Sequence, residues 1–131
     1  MLMIFVEKIR ENLEIFIEGN ENIVNQRFDK HLDYLKNLTK YKFILCPEGN
    51  GLDTHRIWES ILTNTVPIVI KNEFTLNLKK IGVPLLLIND WTDLKIFNES
   101  KIEESYNLFK DLKFSQFVEI KFWTDQIRNK K

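Results

Sequence analysis

A parallel β-sheet covered by helices is the fold class that this sequence predicts, and three observations predict it. Residues 43–46, 66–70 and 85–88 are short, almost wholly apolar runs, as expected of strands buried on both faces. A segment with helical spacing, Ile57 to Leu62, separates the first two, the pattern of a parallel sheet with crossover helices. A loop carrying Gly49 and Gly51 follows the first run directly, where such sheets bind ligands. Together these describe a Rossmann-like α/β arrangement with a helical C-terminal segment.

In chain order, the apolar start Met1-Leu2-Met3-Ile4-Phe5-Val6 is interrupted by Glu7 and Lys8. Val6, Ile9 and Leu13 have the spacing of a short helix, whereas Leu13-Glu14-Ile15-Phe16-Ile17 fits a strand ending at Gly19-Asn20; periodicity leaves both open. Phe28, Leu32, Leu35 and Leu38 recur at three and four residues and predict one apolar helix face. Phe43-Ile44-Leu45-Cys46 reads as a strand that Pro47 stops. A helix is expected from Thr54, packing Ile57, Trp58, Ile61 and Leu62. Val66-Pro67-Ile68-Val69-Ile70 is the next strand, with Pro67 near its start, where a missing N–H is tolerated. Leu85-Leu86-Leu87-Ile88 is the third. Beyond Asn89-Asp90 the chain turns helical, with Ile102, Tyr106, Phe109 and Leu112 on one face. Residues 114–127 fit a helix or an alternating strand, and their length favours the helix.

The chain has 131 residues, the size of one domain, and residues 1–131 are expected to form one. Hydrophobic residues make up 44% and charged residues 29%, which argues against disorder. Nineteen basic and 19 acidic residues give a net charge of +0, so the basic excess of a nucleic-acid binder is missing. Cys46 is the only cysteine, which rules out an intrachain disulfide. The apolar start is too short for a signal-peptide core, and no run approaches a membrane span. A cytoplasmic location is the expectation.

The chemistry concentrates in Cys46-Pro47-Glu48-Gly49-Asn50-Gly51-Leu52-Asp53-Thr54-His55-Arg56-Ile57-Trp58-Glu59. Gly49 and Gly51 permit positive φ and close approach of a ligand to the backbone, with Asn50 as a loop residue between them. Asp53 is a candidate N-cap, leaving the first-turn N–H groups aimed at the crevice as an anion site. Arg56 supplies a planar, bidentate contact to phosphate oxygens. His55 either contacts phosphate or packs within the first turn. Glu59 falls three residues after Arg56, on the same side of the helix, and can accept hydrogen bonds from ribose hydroxyls. Lys71, just past the second strand, is a further candidate phosphate contact. A helix start plus Arg56 neutralises a diphosphate without a metal. The bland alternatives are a surface Arg56–Glu59 pair, a solvated Lys71, a buried Cys46, and Trp58, Trp91 and Trp123 as core aromatics.

Other nucleotide motifs fit less well. No Gly-Lys-Ser/Thr follows the glycines, so the P-loop is absent. The dinucleotide fingerprint is half present, with Thr54 at its third glycine and Glu73 at the distance of a ribose-binding acid. His31 and His55 stand far apart in sequence, and no pair of His or Cys has metal-ligand spacing.

The string from Tyr41 to Ile70 resembles the donor-binding half of exostosin-like glycosyltransferases: a strand ending in Cys46-Pro47, the Gly49-x-Gly51 loop, Asp53-x-His55-Arg56, Trp58-Glu59, then Pro67-Ile68-Val69. Ser60 stands for the usual Ala there, and Asn64-Thr65 for a commoner Gly-containing pair. Asn89-Asp90-Trp91-Thr92-Asp93-Leu94 and Phe122-Trp123-Thr124-Asp125-Gln126-Ile127 also resemble family landmarks. The resemblance implies the GT-B architecture, in which two Rossmann-like domains face each other across a cleft. By that resemblance, residues 41–71 are expected to form the core motif of the half that binds the nucleotide-sugar. The resemblance leads to the expectation that the acceptor-binding half lies outside the chain, and with it the groups that decide inversion or retention; no catalytic residue is assigned. The expected ligand is a nucleoside diphosphate sugar, without cofactor or metal, and the expected partner an acceptor-binding domain. A non-catalytic nucleotide-binding subunit and a structural remnant are the competing readings.

Overall fold

The computed structural model of the chain describes residues 2–6, 19–47, 55–96 and 98–111. Among the described residues there are five strands: β1 (Leu2–Val6), β2 (Ile23–Asn25), β3 (Tyr41–Leu45), β4 (Val66–Ile70) and β5 (Leu86–Ile88). Helices α1 (His31–Leu38), α2 (His55–Leu62), α3 (Glu73–Lys80) and α4 (Glu99–Tyr106) accompany them, with a 3-10 turn at Trp91–Ile96. The strands form one sheet in the order β2-β1-β3-β4-β5, and every pairing is parallel. Ile4 pairs with Ile23 on one side and Phe43 on the other, and Phe43 in turn faces Val66.

Burial follows position in the sheet. All five residues of β3 are buried and four of the five in β4, because each lies between two strands and under helices. The edge strands β2 and β5 are shorter and half-buried. Among the described residues Phe5 and Phe43 are the largest fully buried side chains, and Phe5 gathers the rings of Phe28, Tyr34 and Tyr41 at 5.0 to 6.1 Å between centroids. The parallel α/β class is as expected. The number of strands is not, for the sequence pattern marked only three: the apolar start, read as an interrupted run, is the inner strand β1, and β2 adds a second.

Two helix faces need correction. Leu32 and Leu62 are each 61% exposed, although both were expected to pack. At 100° per residue, Tyr34, Asn37 and Leu38 define the buried line of α1, which puts Leu32 on the far side and Leu35 at the flank. Ile57, Ser60 and Ile61 do the same for α2, turning Leu62 outward. Phe28 precedes α1 rather than belonging to it and meets Phe5 from the loop. The helix-or-strand segment at residues 7–17, Leu112, residues 114–127 and Trp123 lie outside the described residues.

Local chemistry sets where helices stop and start. Asn64 ends α2 with φ 59°, the left-handed conformation that glycine adopts without strain, and the Thr65 N–H closes back on the Ser60 carbonyl at 2.8 Å. The commoner glycine of the resembling family therefore has a physical reason at this corner, and asparagine is the non-glycine residue that tolerates it best. Asn64→Gly is expected to raise unfolding free energy by about 0.5 kcal/mol and Asn64→Ala to lower it by about 1 kcal/mol, read by urea unfolding. Ser60 is fully buried, and its hydroxyl donates to the Ile57 carbonyl at 2.6 Å, so it occupies an alanine position without an unmet donor. The Thr65 hydroxyl donates to the Leu38 carbonyl at 2.9 Å, fastening the end of α1 to the start of β4. A reciprocal capping box between Asn72 and Thr75 opens α3.

Residues 89–94 form a self-capped turn after β5. The Asp90 carboxylate accepts the Thr92 N–H at 2.8 Å and the Asp93 carboxylate accepts the Asn89 N–H at 3.1 Å, while Leu94 is fully buried beneath them. Hydrogen bonds from Thr92 hold the Asp90 carboxyl below its ordinary range. α4 is tied to β3 by Lys42, a buried lysine that pairs with Glu103 and lies 5.1 Å from the Tyr106 ring centroid. Among the described residues no helix is long and apolar enough to cross a membrane.

Candidate functional site

The strand order creates one topological switch point. From β1 the chain goes to β2 on one side, and from β3 it goes to β4 on the other, yet β1 and β3 are neighbours. In open parallel sheets the crossovers part at such a point, leaving a crevice beyond the carboxyl ends of the two strands. β3 ends at Leu45; the Cys46 N–H still donates to the Ile68 carbonyl at 3.0 Å, and Pro47 then ends the ladder for want of an N–H. α2 begins at His55. The connection between them is the Gly-x-Gly loop, so the segment that carries the sequence motif leaves the sheet from a switch-point strand. A dinucleotide-binding loop normally follows the first strand of its sheet, whereas this loop follows β3. In the sheet, β3 stands directly beside that strand.

Gly49, Asn50, Gly51 and Asp53 lie outside the described residues. His55 is the first residue of α2 and Arg56, half-buried, the second. Glu59 follows one turn later on the same helix, its side chain 21% exposed. Its carboxylate Oε2 lies 2.8 Å from Nε2 of His31, the first residue of α1. His31 had no part in the sequence reading of the site, since 28 positions separate it from Glu59 and no local pattern links them. Lys71 is exposed, immediately past β4, and its N–H donates to the Ile88 carbonyl at 2.8 Å. It stands with α3, beside a shallow depression lined by Asn72, Leu76 and Lys79, one strand away from the crevice. Arg56 and Glu59 are thus grouped by one helix, and Lys71 belongs to the next strand-helix unit. Glu73, the ribose acid of the dinucleotide reading, is the exposed first residue of α3.

Cys46 is 7% exposed and packs as a small buried residue, as expected. Trp58 and Trp91 are half-buried against the core, also as expected. Among the described residues no three His, Cys, Asp or Glu side chains are grouped as metal ligands.

A parallel α/β sheet serves many functions, and it is the family of the chain that marks a glycosyltransferase-related domain. Residues 1–129 match the family model described as the RXYLT1 C-terminal domain, and the chain belongs to that family, an exostosin-like one.

Proposed function

We propose that the chain binds a nucleoside diphosphate sugar between the loop at residues 48–54 and the first turn of α2, as the donor-binding domain of a GT-B glycosyltransferase. The observation that carries this reading is the position of β3: its carboxyl end, where the motif loop begins, borders the switch point of the sheet. Family membership supports the reaction class.

In this reading the helix start and Arg56 hold the diphosphate, and Glu59 accepts hydrogen bonds from the ribose hydroxyls. During transfer the bond between the anomeric carbon and the diphosphate oxygen breaks, an acceptor oxygen bonds to that carbon, and negative charge collects on the departing diphosphate. Fixed donors aimed at that charge stabilise the transition state, because they are already oriented when the charge develops. Activation of the acceptor falls to an acceptor-binding domain. The xylosyltransferase character of the family makes a nucleoside diphosphate pentose the first donor to test.

Differential scanning fluorimetry with UDP, GDP, ADP and CDP, with and without a chelator, tests the binding. A ligand specific to the folded state stabilises it by about 2.7 kcal/mol at a hundred times its Kd. Saturable stabilisation by one nucleotide, insensitive to chelator, is expected. A well-folded chain that none of the four stabilises would rule the reading out.

A further inference from the structure

We infer that His31 is a positioning residue for the donor site: it orients the Glu59 carboxylate toward the ribose of the bound nucleotide. The inference rests on the donor-binding reading above and adds to it a residue from a different helix.

The geometry fixes the chemistry of the contact. His31 Nε2 lies 2.8 Å from Glu59 Oε2, at ion-pair distance from the carboxylate. A side chain held that close to Oε2 limits how the carboxylate can turn. His31 is itself held. Its ring leans on Tyr34, one turn on in α1, with centroids 5.8 Å apart, and Tyr34 is buried against Phe5 of β1 at 6.1 Å. A continuous line of contacts thus runs from β1, a switch-point strand, through Tyr34 and His31 to Glu59 on α2. This line fixes a side chain that is otherwise 67% exposed. An exposed histidine paired with a carboxylate across two helices adds little to stability. What it does supply is a defined direction for the carboxylate, which a vicinal diol requires of its acceptor.

The effect is therefore specific to the sugar hydroxyls. Calorimetric titration of the full chain compares the nucleoside diphosphate that binds best with its 2′,3′-dideoxy counterpart. For His31→Ala, affinity for the ribonucleotide is expected to fall about five-fold, the weight of one ordinary hydrogen bond, with dideoxynucleotide affinity unchanged. His31→Gln, whose amide N–H reaches a similar point, restores most of the ribonucleotide preference. Equal losses for both nucleotides, or no loss for either, would overturn the positioning role while leaving donor binding intact. A wild-type chain that binds neither nucleotide would overturn the donor-binding reading, and this inference with it.

Discussion

Arg56→Ala is expected to weaken nucleoside diphosphate binding by about 10- to 100-fold and to leave the melting temperature of the unliganded chain within about 2 °C of wild type. The two halves of that expectation have different physical origins. A charge-assisted hydrogen bond to phosphate contributes about 1.5–3 kcal/mol, and tenfold in affinity corresponds to about 1.4 kcal/mol. Arg56 is only half-buried, in the first turn of an eight-residue helix whose packing rests on Ile57 and Ile61. Its removal therefore costs binding and little folding. Arg56→Lys retains the charge but not the planar fork, so it recovers only part of the affinity. Isothermal titration of the three proteins with the preferred nucleotide reads these effects. Unchanged affinity in Arg56→Ala would move the diphosphate contact to the backbone of the loop or to another cation.

The largest effect on stability is expected at Phe5. Phe5→Ala removes a fully buried ring that touches Phe28, Tyr34 and Tyr41, and a cavity at such a position costs about 3–5 kcal/mol. Since domains of this size are stabilised by about 5–15 kcal/mol, the variant is expected to lose a large share of its margin. Phe5→Leu, which keeps most of the volume, is expected to cost about 1.5 kcal/mol. Equilibrium unfolding in urea distinguishes the two. A loss below about 1 kcal/mol for Phe5→Ala would mean that β1 is not the inner strand on which the switch point depends.

What the sequence revealed depended on the length and flanks of each apolar run. β4 was legible to the residue, as a five-residue apolar stretch with Pro67 near its start, and β3 was found to within two residues at its beginning. The helix after the glycine loop was placed correctly because Ile57 and Ile61 are four apart ahead of a new strand. β1 was missed although its residues are as apolar as those of β4, because a run at the chain start competes with a targeting segment for the same signal. β2 has three residues ending in Asn25, too little for an alternation to register. α3 hides behind Phe74, Leu76 and Leu78, whose spacing of two mimics a strand; the better signal was the Asn72 to Thr75 capping box.

These misses had one consequence for the site. The motif loop and its phosphate chemistry could be read from Gly49 to Arg56, but the switch point exists only once β1 is seen to lie beside β3. The pairing of His31 with Glu59 is likewise a product of topology. Both helices run back from the carboxyl edge of the sheet, which brings the start of α1 beside α2. The family landmark at residues 89–94 proved to be a capped turn over buried Leu94, a role in folding the end of the sheet.

The most direct test of the central claim is a map of where the nucleotide sits, from amide chemical shifts of the isotopically labelled chain during titration with the preferred nucleoside diphosphate. The account predicts the largest shifts at Gly49, Gly51, His55 and Arg56, with smaller ones at Cys46 and at the end of β1. Shifts confined to residues 71–80, around Lys71 and α3, would contradict it and transfer the anion to the neighbouring strand-helix unit.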